Sequence, residues 1–286
     1  MLEKKSISRK TFAILMESPT FVILTVLSIY PFVYTLYYSL TNFYYISKDG
    51  LDFVGLKNYL RVFSDPTFMH ALWFTALFTI VSVLTINVFA FVIAMLLTKG
   101  IKGTNFFRTV FFMPNLIGGI VLGYIWQILL NGILGHFGRT LTYSSSYGFW
   151  GLVILMNWQQ VGYMMIIYIA GIQNIPGELI EAAKMDGASN WQLLKSVTIP
   201  MVMPSITICT FLTLTNSFKL FDQNLALTAG EPSNNSQMLA LNIFETFYGR
   251  TGWEGVGQAK AVIFFIIVAI IALAQNRLTR TKEVQQ

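Results

Sequence analysis

Apolar residues run through this chain in six long stretches, at about residues 19–40, 71–97, 106–130, 149–172, 201–221 and 259–274, separated by more polar segments. The first five reach the roughly 20 residues that a helix needs to cross a bilayer, and the sixth does so if it begins ahead of Ala259. Pro31 removes one backbone donor inside the first stretch and predicts a kink there. Pro114 stands near the start of the third, and Gly119-x-x-x-Gly123 in its middle predicts a face on which another helix packs closely. Between the first two stretches, Phe53-Val54-Gly55-Leu56-Lys57-Asn58-Tyr59 and Asp65-Pro66 predict a turn and a short helix along the membrane interface, with Tyr59 and Phe63 toward the headgroups. Residues 132–146, rich in glycine, serine and threonine, read as a loop.

The longest polar helical interruption lies between the fourth and fifth stretches, over residues 174–200. Asn174-Ile175-Pro176 reads as a helix start, because proline suits a first turn whose N–H is not needed. Asp186-Gly187 stops that helix, since glycine takes the left-handed conformation that closes a helix C-terminus. Ser189 with Gln192 fits a capping box for a second short helix, which Pro200 should end. The unit predicted is therefore helix, glycine turn, helix.

Composition supports a membrane protein: 286 residues are 55% hydrophobic and only 11% charged, against about 25% charged in soluble domains. The net charge of +6 is spread over short segments flanking the apolar runs, which argues against a nucleic-acid patch. Residues 1–17, 98–108, 173–199 and 275–286 carry 12 Lys and Arg, whereas 41–70, 131–148 and 222–258 carry 5. Basic loops stay in the cytoplasm, so both termini and the 174–200 segment are expected inside. The basic start resembles that of a signal peptide, but the run after it is too long and lacks a small-residue cleavage site, so it is expected to remain as a span. No internal repeat is evident and no segment between spans is long enough for a core of its own, so residues 1–286 are expected to form a single membrane domain.

Candidate chemistry is sparse. The lone Cys209 provides neither a disulfide framework nor a thiolate metal site, and His70 and His136 are too far apart in sequence to suggest a metal pair. No G-x-x-x-x-G-K-[ST] phosphate loop occurs, and Asn234-Asn235-Ser236 is read as a chance glycosylation triplet. Polar residues at membrane depth carry more information. Lys219 and Asp222, three apart near the end of the fifth stretch, fall on one helical face, either pairing or lining a substrate route. Lys260 is expected to snorkel to the interface. Trp158, Gln159, Gln160 and Tyr163 form a compact amide and aromatic group, and such groups suit a neutral polyhydroxylated ligand.

Glu181-Ala182-Ala183, Asp186-Gly187-Ala188 and Ile199-Pro200 together resemble the EAA loop of the membrane subunits of bacterial ATP-binding-cassette importers. The resemblance implies an all-α membrane protein with six transmembrane helices, the type I importer permease fold, and a cytoplasmic coupling helix. It assigns ATPase coupling to Glu181, Ala182, Ala183, Asp186, Gly187, Ala188 and Pro200. From Trp158 to Pro232 the chain is similar to the maltose-type permeases, and the likeness is looser from Phe53 to Pro114. On that spacing Gln159, Gln160, Tyr163, Thr213, Asn216 and Ser217 fall where the family lines its sugar site, while Met156 and Leu220 replace polar residues. Glu231 stands in place of the second glycine of the usual Gly-Gly-Pro.

Functionally, the resemblance implies a permease subunit, not an enzyme, in a bacterial cytoplasmic membrane, importing a sugar or oligosaccharide by alternating access. An anionic sugar such as a sialic acid or uronate is the alternative, since Lys219 could offset a carboxylate. The implied partners are a second related permease, two ATPase subunits that hold ATP and magnesium, an extracytoplasmic solute-binding protein and membrane lipid, with no nucleic acid. A secondary transporter driven by an ion gradient would call for buried acids in the spans, and a membrane enzyme for a nucleophile, metal cluster or acid pair at depth. The spans offer almost no acids apart from Asp222, and no such catalytic group.

Overall fold

Proline and glycine, more than hydropathy, decide where the helices of this chain begin, bend and end. The computed structural model describes residues 9–43 and 50–280. In chain order the α-helices are α1 (Arg9–Leu24), α2 (Tyr30–Ser39), α3 (Lys57–Phe63), α4 (Pro66–Leu97), α5 (Thr104–Phe112), α6 (Gly119–Gly135) and α7 (Ser145–Gln173). They continue with α8 (Gly177–Met185), α9 (Asn190–Leu193), α10 (Ile199–Met201), α11 (Met203–Phe218), α12 (Asp222–Leu227), α13 (Leu239–Gly249) and α14 (Glu254–Arg280). Among the described residues the single β-type pairing is a bridge between Thr41 and Phe53. Lys4, Lys5, Lys48 and Lys282, which enter the charge bias, lie outside the described residues.

Among the described residues four helical stretches are long and apolar enough to cross a membrane unbroken: Met16–Ser39, Pro66–Leu97, Ser145–Gln173 and Glu254–Gln275. The last begins ahead of Ala259 and so gains the length that its apolar core lacks. The third stretch, read as one span, is a bent pair, and the fifth begins at the bend of a second pair. Thr104–Leu116 meets Gly119–Gly135 at 103°, and Asn190–Met201 meets Met203–Phe218 at 69°. At the first bend Pro114 enters a tight 3-10 turn, and Ile117 and Gly118 are extended, with ψ of 130° and 141°. At the second, Val202 leaves helical geometry (ψ 1°) and Pro204, near the start of α11, has no N–H to continue the ladder. Counting each bent pair as one crossing gives six.

Pro31 and Pro200 are handled in another way. Each follows a five-residue π-helical segment, Thr25–Ile29 and Leu194–Thr198, in which an N–H reaches back five residues: Tyr30 to Thr25 and Ile199 to Leu194. The wider turn shifts the carbonyl ladder just before the proline, where the ring would otherwise crowd the preceding turn. Pro200 therefore does not end the second helix of the 174–200 segment as its sequence position suggests; the chain stays helical through it to Met201 and bends at Val202.

The chain divides into two compact units, Met1–Ser64 with Ile243–Ile263 and Asp65–Asn242 with Phe264–Gln286. In the first, Asn58 donates to the carbonyls of Ser39 (2.9 Å) and Thr41 (2.8 Å), and the N–H of Gly255 donates to Phe43 at 3.1 Å. These bonds tie the end of α2, the following loop and the first turn of α14 together. Tyr59 is half-buried with its hydroxyl 2.7 Å from Ser39 Oγ, so only Phe63 of the expected interfacial pair is exposed. Lys260 does not snorkel: it is fully buried and donates to Thr246 Oγ1 at 2.8 Å, because α13 lies against the start of α14.

The second unit is built on α7, which packs most extensively on α4 and also touches α5, α6, α11 and α12. Its core joins Phe78, Ile86 and Ala90 of α4 to Leu152, Leu155, Met164 and Tyr168 of α7 and Cys209 of α11. Hydrocarbon gives helices little reason to associate, so close van der Waals packing has to supply it. Glycine makes that approach possible: a Cβ on residue 162 would lie 1.8 Å from the Phe111 carbonyl oxygen. Gly119 and Gly123 do the same for α12, since a Cβ on Gly123 would lie 2.6 Å from that of Ala226. The Gly-x-x-x-Gly motif thus serves packing within the chain. Because the Phe111 backbone cannot rotate out of the way, Gly162→Ala should cost about 3 kcal/mol or more. Membrane yield and thermal unfolding in detergent should both fall sharply, whereas Gly177→Ala, with no neighbour within 4 Å, should behave as wild type.

Candidate functional site

The end of α11 creates a polar cleft in the second unit. The helix stops at Phe218, Lys219 caps it, and Phe221 (φ −125°, ψ −62°) turns the chain into α12. Lys219 and Asp222 therefore flank a break and do not share one helical face. The turn leaves a cleft of about 320 Å³, lined by Gln160 and Asn216, by Lys219, Asp222 and Gln223, and by the apolar Met156, Leu220 and Phe221. Lys219 and Asp222 are both exposed, and neither makes an ion pair among the described residues.

Side-chain amides fix the walls of this cleft. Asn216 donates to Gln160 Oε1 at 3.4 Å, linking α11 to α7. Gln223 donates to Gln159 Oε1 at 2.8 Å, and Gln159 in turn reaches the Ile117 carbonyl at 3.4 Å, at the bend before α6. From α6, Gln127 donates to the Leu227 carbonyl at 3.0 Å, while Asn224 bridges the Ser236 carbonyl and the Met238 N–H. The short α12 is thereby held at both ends and seated on Gly119 and Gly123. Each amide offers both a donor and an acceptor, the equipment needed to bind a hydroxyl-rich ligand in a fixed orientation.

The sequence-derived candidates divide on this geometry. Gln160, Asn216, Lys219 and Asp222 come together in the cleft, and Gln159 stands one hydrogen bond behind it. Trp158 does not line it; its ring packs edge-on to Trp126 at 5.7 Å. Tyr163 lies beside Phe112, with ring centroids 6.4 Å apart. Thr213 is fully buried, donating to the Cys209 carbonyl and accepting from Asn87, and Ser217 is fully buried with no partner for its hydroxyl among the described residues. Gln223 and Phe221 are additions; the polar run Asp222-Gln223-Asn224 directly after an apolar span was the available signal. Among the described residues no cluster of His, Cys, Asp or Glu could hold a metal ion.

The 174–200 segment forms a second site. Pro176 sits at the N-cap of α8, one residue ahead of the helix it was expected to open. At the other end Gly187 adopts φ +81°, the N–H of Ala188 donates to Ala183 and that of Gly187 to Lys184, both at 3.0 Å. This pair of bonds is the Schellman closure that the Asp-Gly step predicts. Ser189 and Gln192 complete a reciprocal capping box at the start of α9. The turn borders a hollow of about 310 Å³ lined by Ala183, Asp186, Gly187, Ala188, Gln192 and Leu193, among others. Glu181 and Ala182 are exposed on α8 and Pro200 is half-buried, while Leu179, Met185 and Trp191 expose large apolar surfaces nearby.

Residues 68–283 match the family of binding-protein-dependent transport system inner membrane components. The chain belongs to that family. The permease is 44% identical over 277 residues to the probable starch degradation products transport system permease protein AmyD of Thermoanaerobacterium thermosulfurigenes, covering 94% of each chain. It is 31% identical over 264 residues to the multiple sugar-binding transport system permease protein MsmF of Streptococcus mutans, covering 89% of this chain and 90% of the relative. Among solved structures, a bacterial ATP-binding-cassette transporter that imports the acidic polysaccharide alginate superposes with a TM-score of 0.78 over 96% of both chains, at 18% identity. The fold is accordingly that of a type I importer permease, and the chain is a multi-pass transport component of the cytoplasmic membrane rather than an enzyme.

The division of candidates can be read by thiol labelling in a Cys209→Ser background. Asn216→Cys and Asp222→Cys should react readily with a small hydrophilic reagent, whereas Thr213→Cys and Ser217→Cys should be protected; equal reactivity at all four positions would contradict the cleft geometry.

Proposed function

We propose that the permease carries a neutral sugar or oligosaccharide through the cleft formed where α11 breaks before α12. The observation that carries this reading is the set of amide groups, Gln160, Asn216 and Gln223, gathered there beside apolar walls. Lys219 and Asp222 contribute opposite charges to the same cleft, so it presents no net charge to a ligand carboxylate. That balance favours a neutral ligand over an anionic one. The sugar-related names of relatives at 44% and 31% identity point the same way.

The importer would comprise this permease, a second related permease, two ATPase subunits and an extracytoplasmic solute-binding protein. Both termini and the α8–α9 loop would face the cytoplasm, on the side favoured by the charge bias. ATP and magnesium would be held by the ATPase subunits, since this sequence has no phosphate loop. Closure of the ATPases would push α8 and α9 as a rigid pair, and the movement would rock the spans around the cleft. Glu181, Ala182, Ala183, Asp186 and Ala188 would form the docking surface, Gly187 its corner, and Pro200 the entry to the fifth span.

Two measurements separate the parts of this reading. In uptake assays with a radiolabelled maltooligosaccharide, Gln160→Ala and Asn216→Ala should each lower transport about five- to tenfold, the worth of one well-placed hydrogen bond. Lys219→Gln should cost about threefold or less for that neutral sugar. Loss of all transport on Lys219→Gln, with full retention in the amide variants, would favour the anionic reading. For coupling, Gly187 has open space around it and is constrained only by its left-handed backbone. Gly187→Asn should keep the ratio of sugar transported to ATP hydrolysed. Gly187→Val, which strains the turn by about 2 kcal/mol, should lower that ratio several-fold while the subunit still assembles. Wild-type coupling in the valine variant would contradict the role of the turn.

A further inference from the structure

The loop after α6 carries a cation that the transport reading does not use. Arg139 is the only Lys or Arg between positions 131 and 148, a stretch with no Asp or Glu. By the charge bias it lies on the side that the permease keeps poor in basic residues. Its guanidinium donates to the Tyr147 hydroxyl and lies 5.4 Å from the Tyr143 ring centre and 5.8 Å from that of Tyr147. The backbone is equally fixed: Gly138 takes φ +67°, and the Arg139 N–H donates to the Leu134 carbonyl at 3.1 Å. Two aromatic faces and one hydroxyl thus hold the guanidinium in place and leave the remaining donors of its fork available.

An apolar track leads to that cation. Ile125, Leu129, Ile133 and Phe137 succeed one another at four-residue spacing, and their exposure rises from 43% at Ile125 to 75% at Phe137. Ile125, Leu129 and Ile133 form a ridge about 12 Å long on α6, and Phe137 extends it from the turn that follows Gly135. At its end, Leu134, Phe137, Arg139 and Tyr147 line a hollow of about 280 Å³.

We propose that this hollow binds the headgroup of an anionic phospholipid, with phosphate oxygens on the Arg139 guanidinium and an acyl chain along the Ile125–Phe137 ridge. The fork of an arginine matches phosphate geometry. A ridge that descends along a membrane-spanning helix suits an acyl chain and is out of reach of a soluble protein. The lining of the hollow carries a guanidinium and no carboxylate to attract a choline or ethanolamine, so a lipid of net negative charge is preferred.

The test uses the assembled importer in nanodiscs of phosphatidylcholine containing a graded fraction of phosphatidylglycerol, with lipid retention read by native mass spectrometry after gentle release. The wild type should retain phosphatidylglycerol preferentially, and Arg139→Gln should lower that preference about fivefold, the effect of one basic side chain at a membrane surface. Phe137→Ser should reduce retention of either lipid without changing the preference, and unchanged yield and melting temperature would establish that both variants are folded. Equal retention of the two lipids by the wild type would overturn the proposal. So would an Arg139→Gln variant that keeps its lipid preference, or one that loses only its affinity for the substrate-loaded solute-binding protein.

Discussion

Close backbone contact at glycine is the constraint on which this permease rests. In lipid the hydrophobic effect does not drive one helix against another, so cohesion must come from contact made at short range. α7 makes that contact on several sides, with Gly162 against the Phe111 backbone, Gly151 against Leu141 and Gly171 against Ser205. Partly buried side-chain bonds then fix the register between the helices: Asn157 to Thr85 at 2.9 Å, and Tyr168 to Asn87 at 2.7 Å. With α4, α7 and α11 locked in this way, the two broken spans can carry geometry that a straight helix could not provide.

Three breaks in the helices shape the two candidate sites. The 103° bend before α6 presents Gly119 and Gly123 as a seat for α12, and it exposes the Ile117 carbonyl to Gln159. The break after Phe218 turns Lys219, Phe221 and Asp222 toward Gln160 and Asn216. The 69° bend at Val202 separates the α9–α10 segment from α11, so that a helix in the polar loop and a helix in the core meet at an angle. A displacement of the loop would act through this bend on the helix that contributes Asn216 to the cleft, the link on which the proposed coupling depends.

How much could be read from sequence depends on the range of the interactions. The Schellman turn at Gly187 and the capping box at Ser189 and Gln192 are local, set by residues within a few positions of one another, and the structure has both as expected. Apolar length was also sufficient to locate the four unbroken spans and the two bent pairs, since hydropathy depends on little else. Direction along a helix was not legible: whether Pro200 ends a helix or is absorbed by a π turn depends on the ladder before it. Periodicity placed Lys219 and Asp222 on one face only because the helix was assumed to continue. Lys260 looked like a snorkelling lysine until α13 supplied Thr246 as an acceptor. Likewise Thr213 and Ser217 share a span with Asn216, yet they turn into the α4–α7–α11 core, a difference of rotation that depends on tertiary packing.

The central claim is that a sugar occupies the cleft between Gln160, Asn216 and the α11–α12 break. A cryo-electron microscopy structure of the assembled importer, captured with its substrate in the transmembrane region, measures this directly. Sugar density within hydrogen-bonding distance of Gln160 and Asn216 is the expected result. Density confined to the second permease, or lying apart from these two residues, would contradict it.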